Sequence, residues 1–188
     1  STLLNVMGML DTPTSGRYGF NGEDVAGYSE SKLANLRKRN IGFIFQSFNL
    51  VDELTVLENV ALPLLYQKIP ARQRRELAES VLERMGIAHR PNHRPQQLSG
   101  GQQQRVAVAR AVITEPGLIL ADEPTGNLDT ANGEEVLDLL SQLNADGTTV
   151  VMVTHDPSHS DHVSRVVHML DGRVLSENVV SVREKRSA

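Results

Sequence analysis

Two adjacent carboxylates, Asp122 and Glu123, end an apolar run in the middle of the chain and could take part in phosphate chemistry. The run 118–121 is short and aliphatic, which predicts a buried strand. Side chains at the carboxyl end of such a strand lie where open α/β sheets bind ligands. Carboxylates in general can hold a divalent cation or accept a proton. Alone, such a pair is more typical of a solvated turn, so its function depends on neighbouring motifs.

A glycine-containing loop formed by Ser99, Gly100, Gly101 and Gln102 could hold an anion. Adjacent glycines let backbone N–H groups approach a ligand, and the helix predicted at 103–113 adds further N–H groups at the positive end of its dipole. A phosphate group is the expected ligand. By itself, serine before such a helix is more typical of an ordinary N-cap.

Gln46 and His155 each follow another apolar run that predicts a strand, at 41–45 and 149–154. Gln46 offers an amide oxygen and His155 an imidazole that can form hydrogen bonds with a ligand. The remaining five histidines lack this placement and are interpreted as solvated or structural: His89, His93, His159, His162 and His168. Pro157 interrupts a helical face shared by the last histidines, so a zinc site is not favoured.

Together and in this order, the motifs resemble those of the nucleotide-binding domain of ABC ATPases. Residues 98–102 match the signature loop and residues 118–123 the Walker B strand. Gln46 matches the Q-loop glutamine, Asp129 the D-loop aspartate and His155 the switch histidine. The resemblance extends over nearly the whole chain and implies a protein that binds and hydrolyses ATP to power transport.

The resemblance implies a single domain with an α/β fold. Its P-loop NTPase (RecA-like) core, with a mostly parallel sheet, is expected at 1–46 and 115–175. An ABC-type helical subdomain carrying the signature loop is expected at 47–114, followed by a charged tail at 176–188. Within the subdomain, the pattern at 71–85 predicts an amphipathic helix that stops at Gly86. Its expected apolar stripe consists of Leu77, Val81, Leu82 and Met85.

Shorter elements are predicted from local patterns. Residues 1–9 are expected to complete a helix, and residues 31–39 to form another. A hairpin is predicted at 17–20 with an Asn-Gly turn, and a second at 166–175 with an Asp-Gly turn.

Ser1 and Thr2 resemble the end of the phosphate-loop motif G-x-x-x-x-G-K-[ST]. We therefore expect the sequence to begin inside this motif, with its glycines, its lysine and the N-terminal strands of the sheet lying upstream. The resemblance implies that Ser1, Gln46 and Asp122 hold Mg²⁺, and that Thr2 helps to hold the α/β-phosphates. A chain beginning at Ser1 is expected to bind MgATP poorly and to be inactive alone.

For hydrolysis, the resemblance implies that Glu123 polarises the attacking water as general base and that His155 and Gln46 help to position it. It also implies that two domains pair head to tail as a homodimer. The signature residues of one subunit then act on ATP held by the other, with Asp129 near the seam. ATP-driven dimerisation would move an integral membrane permease, separate or fused, from the cytoplasmic face of the inner membrane.

Residues 43–66 and 120–129 resemble the subgroup of lipoprotein-release and macrolide-export ATPases. Apolar residues of the insert could be the docking face for the permease or could simply pack the insert: Phe48, Leu50, Leu54 and Val56. DNA-repair, ribosome-associated and cell-division ABC ATPases are the alternatives. The short, cysteine-free segment 46–98 argues against the coiled coils or zinc modules of the DNA-repair proteins.

Composition sets outer limits on the function. With 188 residues, 39% hydrophobic and 22% charged, the chain is one globular domain with a substantial core. A net charge of −4 does not indicate a nucleic-acid partner, and the lack of cysteine excludes disulfides. No apolar run reaches the roughly 18 residues of a membrane span, so a membrane role is expected through a partner.

Overall fold

The computed structural model describes residues 2–179, so Ser1 and most of the expected tail lie outside the described residues. The six α-helices are α1 (Thr2–Met7), α2 (Glu30–Asn40), α3 (Val56–Tyr66), α4 (Ala71–Arg84), α5 (Gly100–Val112) and α6 (Thr130–Ala145). The seven strands are β1 (Gly19–Phe20), β2 (Glu23–Asp24), β3 (Ile41–Phe45), β4 (Leu118–Asp122), β5 (Thr149–Val153), β6 (Arg165–Leu170) and β7 (Arg173–Val179). Two short 3₁₀-helices span Pro95–Gln97 and Pro157–His162. These counts refer to the described part of the chain.

A three-stranded parallel sheet of order β3-β4-β5 positions the predicted motifs. Phe45 pairs with Asp122, and Asp122 pairs with Val153, so the three strands end level with one another. The residues that follow them therefore share one edge of the sheet. This confirms the predicted α/β fold, with β4 ending one residue before Glu123 and β5 one residue before Thr154.

Helices cover both faces of this sheet because successive strand side chains point to opposite sides. On one face, Leu4 of α1 and Leu33 of α2 share a buried cluster with Leu120. On the other face, α5 lies so close to β3 that a Cβ on Gly42 would come 2.4 Å from the backbone oxygen of Ala111. A glycine is needed there for close approach between strand and helix.

Helices α3, α4 and α5 pack around an apolar cluster that also includes residues of the sheet and of α6, such as Ile44, Ile119 and Val136. On α4 the buried residues are Ala78 and Leu82, followed by Met85, whereas Leu77 is 38% exposed. The predicted apolar stripe was therefore wrong at Leu77. Ala78 takes the buried position four residues before Leu82, and Leu77 faces solvent. Val56 is fully buried, so it packs the insert and is no part of an exposed docking face.

Both predicted hairpins are present, β1 with β2 and β6 with β7. The predicted helix at 1–9 ends earlier, at Met7. Gly8 follows it and packs against the ring of Phe43, because a Cβ on Gly8 would lie only 2.5 Å from a ring carbon of Phe43. The helix predicted at 103–113 begins earlier, at Gly100. None of the helices among residues 2–179 is long and apolar enough to cross a membrane.

Candidate active site

Glu123 and His155 lie side by side at the shared edge of the sheet. His155 Nδ1 is 2.8 Å from Glu123 Oε1, although the two residues come from different strand ends. The backbone N–H of Glu123 donates to the carbonyl of Val153 at 2.9 Å, which fixes the turn after β4 to the neighbouring strand. Glu123 has a φ of +46°, a conformation that costs free energy in a non-glycine residue and is concentrated at functional sites.

The pair combines a sheltered carboxylate with an accessible imidazole. The Glu123 side chain is 20% exposed and that of His155 is 84% exposed. The hydrogen bond to Glu123, followed by the attraction of its charge, raises the pKa of His155 above its ordinary value of about 6.5. The edge therefore holds a carboxylate that can accept a proton and an imidazole that can donate one.

We expect His155 to titrate above the ordinary histidine value in the protein without nucleotide, as measured by the NMR shift of its ring protons. Glu123→Gln should return the pKa toward that value because it removes the charged acceptor. Asp156→Asn is the matched control, since Asp156 contributes least to the shift, and it should leave the pKa of His155 nearly unchanged. Equal effects of the two substitutions would contradict the pairing.

The same shift has a consequence for folding. Because the folded pKa is raised, the pair contributes stability that is fully present below the unfolded value and is lost as pH rises through the folded value. Equilibrium unfolding should be measured at pH values from below the unfolded pKa of His155 to above its folded pKa. The free energy of unfolding should fall over this range in the parent protein and not in Glu123→Gln.

Gln46 is tied to the turn after β4 by two hydrogen bonds with Asn127. Gln46 Nε2 donates to Asn127 Oδ1 at 3.3 Å, and Asn127 Nδ2 donates to the backbone oxygen of Gln46 at 2.9 Å. Gly126 permits this contact, because a Cβ there would lie 2.7 Å from Gln46 Nε2. The contact uses the amide nitrogen of Gln46 and not its amide oxygen.

Asp122 and Gln46 offer the oxygen donors that suit Mg²⁺. Asp122 is half-buried at the end of β4, and Gln46 directly follows Phe45, which pairs with Asp122. Mg²⁺ takes one or two protein oxygens and completes its shell with water and phosphate oxygens, so this donor set fits it. Thr2 is exposed at the start of α1. The roles expected of Thr2 and Ser1 rest on the motif resemblance.

The signature loop is the capped first turn of α5. Ser99 Oγ accepts from the backbone N–H of Gln102 at 3.3 Å, and Gln102 Oε1 accepts from the backbone N–H of Ser99 at 3.1 Å. This capping box starts the helix at Gly100, three residues earlier than expected, because the two glycines are part of the helix. The three atoms nearest to a Cβ on Gly100 belong to Leu128, Asn127 and Phe48, at 3.5 to 3.8 Å.

Gly101 is buried against α6, which gives this glycine a packing role that the sequence did not reveal. A Cβ on Gly101 would lie 2.1 Å from Asn132 Oδ1. Asp129 in turn caps α6, accepting from the backbone N–H of Asn132 at 3.0 Å and from its side chain at 2.6 Å. The backbone hydrogen bond from Asn132 is the main reason that the pKa of Asp129 is lowered.

Three further residues near the site were missed by sequence reasoning. Gln104 is fully buried on α5 and donates to the backbone oxygen of Pro124 at 2.5 Å. The sequence feature that could have revealed Gln104 is that it is a polar residue on an otherwise apolar face of α5. Arg110 donates to the backbone oxygens of Phe48 and Asn49. Both residues have positive φ, so the chain bends sharply there, and no sequence pattern predicts this bend. His159, interpreted as solvated or structural, is buried.

Comparisons with known proteins identify the family. A family model described as ABC transporter matches residues 1–126. The uncharacterized ABC transporter ATP-binding protein YknY of Bacillus subtilis is 50% identical over 93% of this chain and 76% of its own length. The macrolide export ATP-binding/permease protein MacB 1/2 of Paracoccus denitrificans is 51% identical over 94% of this chain and 26% of its own length. The chain thus spans about a quarter of that fused relative.

A solved structure gives the same assignment. The dimeric structure of the ATP-binding cassette MJ0796, in a post-hydrolysis state bound to ADP and Pi, has a TM-score of 0.86 and 42% sequence identity. The match covers 97% of this chain and 80% of that one. These relatives favour a transporter ATPase over the DNA-repair, ribosome-associated and cell-division alternatives. The chain therefore belongs to the ABC transporter family, as an ATP-binding domain whose expected activity is ATP hydrolysis.

Proposed function

We propose that ATP is hydrolysed at the shared edge of β3, β4 and β5, with Glu123 as general base. The observation that carries this proposal is the contact between Glu123 and His155 beside Asp122. Glu123 is sheltered enough to hold a fixed orientation and takes the proton from the attacking water. His155, exposed and raised in pKa, hydrogen-bonds the γ-phosphate and stabilises its developing charge.

Asp122 and Gln46 are the residues proposed to hold Mg²⁺, together with Ser1. When bound, the ion neutralises charge on the phosphates. Gln46 acts from a fixed position because its amide and backbone are both bonded to Asn127. A glutamine held in this way can orient water or a cation without reorganising during the reaction.

The signature residues Ser99, Gly100, Gly101 and Gln102 are proposed to act on ATP held by a second subunit. The nearest neighbours of Gly100 in its own chain are in the D-loop and Q-loop segments, not the Asp122–Glu123 pair. The structurally similar cassette MJ0796 is dimeric with ADP and Pi bound, which supports a homodimer, and we propose that the two subunits pair head to tail. Asp129, exposed at the cap of α6, then lies near the seam.

Mixing two inactive variants of the full-length protein tests this arrangement. Asp122→Asn removes a proposed cation ligand, and Gly100→Asp places a negative charge in the signature loop. Position 100 has ordinary space for a Cβ, and an acidic residue suits a helix N-terminus, so the second variant should fold.

Each homodimer should lack ATPase activity, while an equal mixture should regain about a quarter of the parent rate, because half of the dimers carry one intact shared site. Absence of any recovery, with mixed dimers demonstrated by tag pull-down, would mean that the site is built within one chain. A parent protein without ATPase activity would overturn the proposed hydrolysis itself.

The domain is proposed to drive an integral membrane permease from the cytoplasmic face of the inner membrane, without a nucleic-acid partner. Relatives include a separate ATP-binding protein and a fused ATP-binding/permease protein, so either arrangement suits this sequence. Phe48, Leu50 and Leu54 are the partly exposed apolar residues of the expected docking face. Their position after Gln46 would link permease movement to the ATP site.

A further inference from the structure

His159 is a buried histidine whose two ring nitrogens both contact threonine hydroxyls. The residue is 6% exposed. Its Nδ1 lies 2.9 Å from Thr154 Oγ1, and its Nε2 lies 3.3 Å from Thr125 Oγ1. The ring therefore bridges two hydroxyl groups that come from different loops.

These two loops carry the two residues of the proposed catalytic pair. Thr154 directly precedes His155 at the end of β5, and Thr125 lies two residues beyond Glu123 at the end of β4. The carboxylate and imidazole are therefore each connected, over one or two residues, to a hydroxyl held by the same ring. His159 itself is supplied by a third element, the short helix Pro157–His162.

The surrounding hydrogen bonds are compatible with one arrangement of hydrogens on the ring and the hydroxyl groups. Thr154 Oγ1 already accepts from the backbone N–H of Asp156 at 3.1 Å, so its hydroxyl hydrogen can be donated to His159 Nδ1. Nε2 then carries the proton and donates to Thr125. The Asp156 carboxylate, 3.7 Å from Nε2, favours a hydrogen on the same nitrogen. A neutral imidazole satisfies both contacts with one donor and one acceptor.

The short helix that carries His159 is itself anchored at both ends. At its start, Asp156 Oδ1 accepts from the backbone N–H of Ser158 at 2.9 Å. At its end, His162 Nε2 lies 3.3 Å from a carboxylate oxygen of Glu134 on α6. The ring of His159 is thus presented from a supported element, which is what a positioning role requires.

We propose that His159 is a positioning residue that holds the loops after β4 and β5 together and so sets the contact between Glu123 and His155. This inference rests on the proposed function, in which those two side chains act together. His159 does not touch the reacting atoms. It acts through Thr125 and Thr154, and a change at His159 should misplace the pair without removing either member.

The first test is independent of catalysis. In the full-length protein without nucleotide, His159→Leu should lower the pKa of the His155 ring toward the ordinary histidine value in an NMR titration, because Glu123 is no longer held beside it. His159→Gln, which keeps an amide at the position of Nε2, should retain part of the shift. His168→Leu is the matched control, because it makes the same chemical change at an exposed position of β6, and it should leave the titration unchanged.

The second test separates positioning from folding. His159→Leu should lower kcat for ATP by about tenfold, since small misplacements of catalytic groups reduce rates strongly, while KM stays close to that of the parent. His159→Gln should recover part of kcat, and His168→Leu should keep it. An unchanged His155 titration in folded His159→Leu would overturn the proposal, as would equal losses of kcat in His159→Leu and His168→Leu. If the parent protein hydrolyses no ATP, the proposed function fails while the titration still decides the role of His159.

Discussion

Glu123→Gln in the full-length protein is expected to reduce ATP hydrolysis by about 10²- to 10⁴-fold, the usual contribution of a general base. Glutamine keeps the size and hydrogen-bonding oxygen of the side chain but cannot take a proton from water. Position 123 keeps its neighbours, including the backbone bond to Val153. The variant should therefore bind ATP and stop before hydrolysis, which would trap an ATP-bound dimer visible by gel filtration.

The matched control is Glu83→Gln, which makes the same chemical change at an exposed position of α4. It should hydrolyse ATP at the parent rate and show no trapped dimer. Parent-like hydrolysis by Glu123→Gln would remove Glu123 from the role of general base. A large loss in both variants would point to a general effect of charge.

Gly101→Ala is expected to lower ATPase activity by about 10²-fold and the free energy of unfolding by about 1–3 kcal/mol. The new Cβ would overlap Asn132 Oδ1, which lies 2.1 Å from its position. To make room, the start of α5 must move or Asn132 must give up its bond to Asp129. Either change disturbs the signature loop and the D-loop together, and both effects can be measured by steady-state ATPase assay and denaturant unfolding.

A double variant separates packing from ligand contact at Gly101. Asn132→Ala removes the two atoms that would lie nearest to a Cβ on Gly101, Oδ1 at 2.1 Å and Cγ at 2.6 Å. Of the three nearest atoms, only the Cβ of residue 132 remains, at 3.1 Å. If packing is the reason for glycine, stability and activity should both recover in Gly101→Ala/Asn132→Ala. If stability recovers and activity does not, the backbone at Gly101 must approach the phosphates closely. Gly100→Ala, where the nearest atom is 3.5 Å away, is the stability control.

The strands and the order of motifs were predictable because both depend on local pattern. Short apolar runs bounded by turn residues favour strands, and the polar residues that follow them mark the ligand edge. The structure confirms β3 at its predicted bounds and places Gln46, Glu123 and His155 at one edge. The resemblance supplied the chemistry expected of these positions.

The remaining features depend on contacts between distant residues, which no local pattern contains. The start of α5 was misplaced because adjacent glycines suggest a loop, whereas packing against Asn132 and the Ser99 cap make them helical. His159 was interpreted as solvated or structural because it does not end a predicted strand. Its contacts with Thr125 and Thr154, from the loops after two strands, are not visible in its local sequence.

The left-handed backbone at Glu123 bears on which residue suits this position. Glycine or asparagine would adopt a φ of +46° at lower cost than glutamate. Either residue would relieve the backbone cost at this position, whereas the proposed general-base role requires a carboxylate there. Stability of the backbone and the proposed turnover therefore make opposite demands on this one residue.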